Sequence, residues 1–209
     1  MTEKNIWDSY GRWDDFARIS SIDALKEKIT GYHSNWHPNV LPSAIATAFQ
    51  NLIQYPSDDQ ERVATVLDFG CGLGRNGPLL KSCFPRVIGY DLPEMIARVR
   101  EHYGDSLHHL YHDLVSDLAT LSDNKDVVAL YDSVCLQHIV DPIYVANIVG
   151  QISRLPSLKL IVTVYNSAIG FPEHLRHLSS GWRIQHTEIE SRSFDGINHT
   201  QTLLCRIAP

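Results

Sequence analysis

Glycines at positions 70, 72 and 74 of VLDFGCGLGRNG (66–77) alternate with Cys71 and Leu73, directly after an apolar run that ends on Asp68. Glycine has no Cβ, so a backbone built this way turns tightly and lets a ligand approach its amide groups. A second carboxylate, Asp91 in IGYDLPEM, closes the next apolar run. A carboxylate at such a strand end can accept hydrogen bonds from both hydroxyls of a ribose. Together the two features point to a nucleoside cofactor at the carboxyl edge of a parallel sheet. The spacing is GxGxG. The dinucleotide fingerprint GxGxxG needs glycine at position 75, where this chain has Arg75.

Other side chains able to do chemistry are sparser. His138, in YDSVCLQHIVDP (131–142), follows a strand-like run, and imidazole titrates near neutral pH, which suits a general base. Tyr165 and Asn166 end the last long apolar run and are weaker candidates for substrate contacts. The four cysteines form no CxxC pair, so neither a zinc ribbon nor a thioredoxin-type site is encoded. His108, His109 and His112 cluster, as do His174 and His177, but neither set carries a known metal-ligand pattern, and no metal is expected. Trp7, Tyr10, Trp13 and Phe16 recur every three residues, an aromatic stripe along one helix side. Such a stripe packs into a core; alternatively Tyr10 and Trp13, with Trp36 of GYHSNWHP, form a lid that keeps water from the reacting groups.

The elements that must position these residues follow from periodicity. From residue 63 onward, dense Val, Ile and Leu runs (63–71, 86–91, 108–113, 126–134 and 158–166) alternate with helical stretches. Runs without polar alternation suit strands covered on both faces, hence a parallel sheet. The crossovers expected are Arg75–Phe84, Pro93–Tyr103, Leu114–Leu121 and Pro142–Leu155. The stretches 182–194 and 199–209 alternate polar and apolar around the turn-forming DGIN, which reads as an antiparallel hairpin. The fold expected is α/β, a doubly wound, mostly parallel seven-stranded sheet with a C-terminal hairpin. Residues 1–60 carry helical patterns at 7–16, 21–30 and 42–55 and form a cap; residues 61–209 form the cofactor-binding domain.

In its ordered motifs the chain resembles the class I S-adenosylmethionine-dependent methyltransferases. The family's first motif is matched by Leu67-Asp68-Phe69-Gly70-Cys71-Gly72-Leu73-Gly74, its ribose-binding acid by Asp91 and its adenine-side acid by Asp113. The stretch from Tyr131 to Pro142 is similar to the fourth-strand segment of small-molecule members. The resemblance implies S-adenosylmethionine as cofactor. It puts Gly70, Cys71, Gly72 and Gly74 along the methionine part, with Asp68 orienting the ammonium. Asp91 and Leu92 take the ribose and the adenine face, Asp113 and Leu114 the adenine edge, and Ser133 and Val134 the ground under the sulfonium. Gln137 and His138 face the transferred methyl or the substrate, His138 as the base.

Composition narrows the acceptor. Eighteen Lys+Arg against 24 Asp+Glu give a formal charge of −6, which opposes a nucleic-acid partner, since that affinity rests on clustered cations. No Asn/Asp-Pro-Pro-aromatic motif follows the fourth run, which reads Asp132-Ser133-Val134-Cys135, and no Pro-Cys nucleophile is present. A small-molecule O- or N-acceptor is therefore expected. No apolar run approaches the ~18 residues that cross a bilayer, and the first residues lack a signal-peptide core, so a cytoplasmic protein without a membrane partner is expected. The rival readings are a methyltransferase-like fold that performs another reaction such as cyclisation, an NAD-dependent oxidoreductase, and a non-catalytic subunit.

Overall fold

The structure is a computed structural model; it describes residues 21, 24, 43–54, 63–133, 135–136, 139, 141–166, 175, 182–185, 192–194 and 197–206. Helix α1 spans Ser43–Gln54. Strand β1 (Thr65–Phe69) leads through the glycine-rich turn into α2 (Gly77–Cys83), followed by β2 (Arg86–Tyr90) and α3 (Pro93–Tyr103). Then come β3 (Asp113–Val115), β4 (Val127–Ser133), α4 (Pro142–Ser153), β5 (Leu160–Asn166), β6 (Trp182–Gln185), β7 (Arg192–Phe194) and β8 (Ile197–Arg206). The sheet order is β3-β2-β1-β4-β5-β8-β6, with β7 paired to β8. Strands β1 to β5 pair in parallel, and β8 runs antiparallel to β5, β6 and β7.

The unbroken apolar runs have the cause anticipated for them: all five residues of β1 are buried. One sheet face carries Val66, Val87, Ala129 and Val162 against Phe49 of α1, Leu80 of α2 and Ile96 and Val99 of α3. The other carries Leu67, Ile88, Leu130 and Ile161 against Ile148 and Ile152 of α4. Helix starts are set by local chemistry. Proline stands in the first turn of α2, α3 and α4, where its missing N–H has no partner to lose. Asp141 caps α4, its carboxylate accepting from the amides of Ile143 and Tyr144 at 2.8 and 3.2 Å.

The chain leaves β1 towards β2 and β3, then returns to the other side of β1 at β4. The carboxyl ends of β1 and β4 thus flank a topological switch point, the place where open α/β sheets leave a crevice for ligands.

Three expectations need correction. The third strand was expected at 108–113, but 104–109 wind into a 3₁₀ helix and β3 starts only at Asp113. The tightening follows Gly104, whose φ of 47° ends α3. The crossover helix expected at Leu114–Leu121 is absent, because β3 takes its first residues and Asp117 caps a single 3₁₀ turn, Leu118–Leu121. Where a helix would cover β3, an open groove of about 430 Å³ remains, lined by Arg86, Ile88, Asp113, Val115, Asp117 and Asn124 among others. Among the described residues the sheet has eight strands where seven were expected, five of them parallel as anticipated, and 182–194 contributes two separate pieces, β6 and β7.

Helix α1 belongs to the same core as the sheet, because Phe49 is fully buried and meets Phe84 edge-on, with ring centroids 4.8 Å apart. Phe49→Ala is expected to lower unfolding stability by about 3–5 kcal/mol in a denaturant titration. A change under about 0.5 kcal/mol, the size of a surface substitution, would mean that α1 does not dock there.

Candidate cofactor site

The glycine turn is built on the carboxyl ends of β1 and β2. The amides of Gly70 and Cys71 both donate to the Tyr90 carbonyl at 2.9 Å, which ties the turn to the end of β2. Gly70 has φ +72°, and a Cβ there would lie 2.4 Å from the Cys135 Cβ, so glycine is required on both counts. Gly72 also has positive φ, +52°, but a Cβ there meets nothing within 4 Å. The two glycines therefore do different work: Gly70 lets the β4 turn pack on the loop, and Gly72 leaves open space before it. Tyr103 of α3 donates its hydroxyl to the Leu73 carbonyl at 3.0 Å and braces the loop from behind.

Asp91 follows β2 directly and meets this loop. Its Oδ2 accepts from the Gly72 amide at 2.7 Å and its Oδ1 from the Leu92 amide at 2.8 Å. An ionised carboxylate offers about four lone-pair directions, so two amides leave capacity for two ligand hydroxyls. Burial pushes its pKa up to about 6, against the pull of the two amides. Leu92 beside it is half-buried and starts α3.

Asp68 lies one residue before the end of β1 and is fully buried. The Tyr111 hydroxyl donates to its Oδ2 at 2.6 Å, and the Asn76 side-chain amide to its Oδ1 at 3.3 Å. Burial raises it to about 6, while these bonds and the nearby Arg75 guanidinium favour the ionised form. Around this carboxylate the Oδ1 of Asn76 and the hydroxyl of Tyr131 are buried without a hydrogen-bond partner among the described residues. The thiols of Cys71 and Cys135 are pushed well above their ordinary value by burial, so both stay neutral.

The structure brings Asp68, Gly70, Cys71, Gly72, Gly74 and Asp91 together, with Leu114 packed in the core near Cys71 over Gly89, but it does not bring in Asp113. In the β2–β3 register Asp113 pairs with Ile88, three residues short of Asp91, because β3 begins later than the sequence suggested. Asp113 is exposed and its Oδ1 accepts from its neighbour's amide at 2.8 Å, and Leu114 is buried in the core. Asp91 instead bonds through its amide to the Val115 carbonyl, so Ser116 and Asp117 continue from the strand end beside it. Ser133 ends β4 opposite Val164, and Tyr165 and Asn166 end β5 opposite Thr200 and His199. His138, Gln137, Val134, Tyr10, Trp13 and Trp36 lie outside the described residues.

Sequence reasoning missed Tyr111, Asn76 and Tyr103, which hold the loop and its carboxylate. Asn76 adjoins the glycine motif and carried a signal; Tyr103 and Tyr111 are distant in sequence and carried none. Asp132 was read only as a departure from a proline motif. It proves fully buried, its Oδ1 accepting from the amides of Cys135 and Leu136 at 2.9 and 3.0 Å.

Gly70→Ala is expected to cost about 2–4 kcal/mol of stability, from left-handed strain and the clash with Cys135. Gly72→Ala should cost only about 1–2 kcal/mol, since strain alone applies, yet weaken nucleoside binding at least tenfold by filling the open space. Thermal melts and calorimetric titration with S-adenosylhomocysteine check both. Equal effects of the two substitutions on stability would contradict the division of roles.

Comparison with known proteins bears on the family and the fold. The Methyltransf_23 family, a methyltransferase domain, matches residues 42–199. The comparison with curated proteins gives no match. Among solved structures, the N-methyltransferase NodS from Bradyrhizobium japonicum, in complex with S-adenosylhomocysteine, has a TM-score of 0.57 at 12% identity, covering 95% of this chain and 98% of that one. A TehB-like methyltransferase from Corynebacterium glutamicum has a TM-score of 0.55 at 17% identity, covering 88% and 96%. Magnesium protoporphyrin IX methyltransferase from Synechocystis, with bound S-adenosylmethionine, has a TM-score of 0.53 at 17% identity, covering 93% and 89%. The likenesses to solved structures speak for the fold, and the family match goes further: this chain belongs to the class I S-adenosylmethionine-dependent methyltransferases.

Proposed function

We propose that the protein methylates a small molecule on oxygen or nitrogen, in the cytoplasm, with S-adenosylmethionine as donor. The observation that carries the cofactor's place is the bridge from the Gly72 amide to Asp91, beside a loop face that holds open space. Asp91 has lone pairs left for the ribose hydroxyls. Asp68, backed by Tyr111 and Asn76, supplies negative charge for the ammonium, and the Asn76 Oδ1, which has no partner among the described residues, is an acceptor close by. Leu92 serves the adenine face. For the adenine edge, Asp117 at the carboxyl end of β3 is better placed than Asp113.

Bound there, the cofactor supplies a methyl group on a sulfonium, already activated for transfer. The protein's part is to align acceptor and methyl and to take a proton where the acceptor carries one. His138, two residues past the described turn at Cys135–Leu136, is the proposed base, and Gln137, Tyr165 and Asn166 the proposed acceptor contacts. Tyr10, Trp13 and Trp36 form the proposed lid within residues 1–60. A small acceptor fits the net charge of −6 and accords with one fold relative named for magnesium protoporphyrin IX. No helix among the described residues is long and apolar enough to cross a membrane.

Asp91→Ala is expected to lose about 2 kcal/mol or more of cofactor affinity while remaining folded, because charge-assisted hydrogen bonds are worth about 1.5–3 kcal/mol. Unchanged affinity would put the ribose elsewhere. His138→Ala should leave cofactor affinity intact but lower turnover, on the order of 10²–10⁴-fold. Normal turnover in the folded variant would remove His138 as base.

A further inference from the structure

Asp132 is the buried carboxylate of the sheet edge to which the reading above gives no task. It is the last residue but one of β4 and pairs with Phe69 of β1 and Thr163 of β5, so it sits at the level where the glycine turn begins. Its Oδ2 accepts from the Thr163 hydroxyl at 2.5 Å, and its Oδ1 from the amides of Cys135 and Leu136. All three partners are neutral. The titratable groups whose charge acts across it are Asp68 on β1, Tyr131 on its own strand and Cys135 on the turn. Asp68 repels it, and among the described residues the turn and β5 offer it dipoles. The strand ends of β1, β2 and β4 thus carry Asp68, Asp91 and Asp132, while the Arg75 charge acts on Asp68.

Such an arrangement is unfavourable for the protein alone. Burial raises Asp132 to about 7, from the ordinary 3.8. The folded state therefore binds more protons than the unfolded chain between those values, and stability falls as pH rises through that window. A neutral side chain of the same shape would serve the fold better at neutral pH. Retained charge in a buried ligand site is a mark of function.

We propose that Asp132 is a specificity-determining residue whose negative charge favours the cationic methyl donor over its neutral demethylated product, so that the spent cofactor leaves. The inference rests on the reading that the methionine end of the cofactor lies over the ends of β1 and β4. S-adenosylmethionine carries one more positive charge than S-adenosylhomocysteine, located on sulfur, and is otherwise nearly the same molecule. On that reading the buried carboxylate of Asp132 acts on the sulfur charge of the donor and finds no such charge on the product.

The experiment is calorimetric titration of the full chain with each of the two compounds at pH 8, repeated at pH 6, beside thermal melts of the same preparations. Asp132→Asn is close to isosteric and keeps an oxygen for the two turn amides. It is expected to weaken S-adenosylmethionine binding about five- to tenfold, the scale of one unit charge acting through a partly wet interior, and to leave S-adenosylhomocysteine within about twofold. The preference of the native protein for the donor should fall between pH 8 and 6, with a smaller fall in the variant. The variant should melt no lower than the native protein at pH 8. Thr163→Val removes a donor that favours the ionised carboxylate, so it should lower the melting temperature and shift the donor preference to higher pH, leaving that preference intact at pH 9. Equal weakening of both compounds by Asp132→Asn, together with a lower melting temperature, would overturn the proposal and make Asp132 a structural lock on the turn. No change in either compound would also overturn it. Failure of the native protein to bind either compound would instead remove the cofactor reading beneath it.

Discussion

The hydrogen bond from the Gly72 amide to the Asp91 carboxylate is the constraint on which the rest of this site depends. It joins the end of β2 to a loop that starts at the end of β1, and both strands are held rigid by burial on two faces. The loop reaches Asp91 because Gly70 and Gly72 take left-handed backbone angles. It stays there because the Tyr90 carbonyl accepts two of its amides and Tyr103 holds Leu73. A rigid cradle of this kind makes the ligand bear little of the ordering cost, which is how a small number of polar groups can give useful affinity.

The same cradle is electrostatically expensive. Asp68 and Asp91, raised to about 6, and Asp132, raised to about 7, are all disfavoured as anions by burial. Among the described residues their partners are neutral hydrogen-bond donors rather than cations, apart from Arg75 near Asp68. A protein selected for stability alone would replace them. In the function proposed above, a cation with a ribose attached has use for each: hydroxyl donors for Asp91, an ammonium for Asp68, and a sulfonium within the field of Asp132. Stability and binding pull in opposite directions here, and the perturbed carboxylates mark where binding prevails.

Much of this was legible in the sequence because strong local signals coincide with the site. The GxGxG spacing, the aspartate closing β2 and the unbroken apolar runs each have one physical cause, and the structure realises them within a residue or two. What failed was the region between α3 and β4. There HHLYHD could be strand or turn, and only the backbone at Gly104 decides that 104–109 wind into a 3₁₀ helix and shift β3 forward. That shift moved the adenine-edge assignment from Asp113 towards Asp117, a distinction that depends on register and not on residue type. The partners of Asp68 were invisible for a different reason. Tyr111 lies 43 positions away, and no periodicity links it to the carboxylate it holds. The split of the terminal hairpin has a mixed origin: β7 pairs with β8 locally, across the DGIN turn, while β6 reaches β8 from about twenty residues away.

The most direct test of the central account is competition for the glycine cradle by nucleoside cofactors on the native protein. S-adenosylmethionine, S-adenosylhomocysteine and NAD would each be titrated calorimetrically. The GxGxG turn with Arg75 in place of a third dinucleotide glycine, and Asp91 as ribose acceptor, demand saturable binding of the first two and at least tenfold weaker binding of NAD. Tight NAD binding with no heat from S-adenosylmethionine would contradict the account at its base.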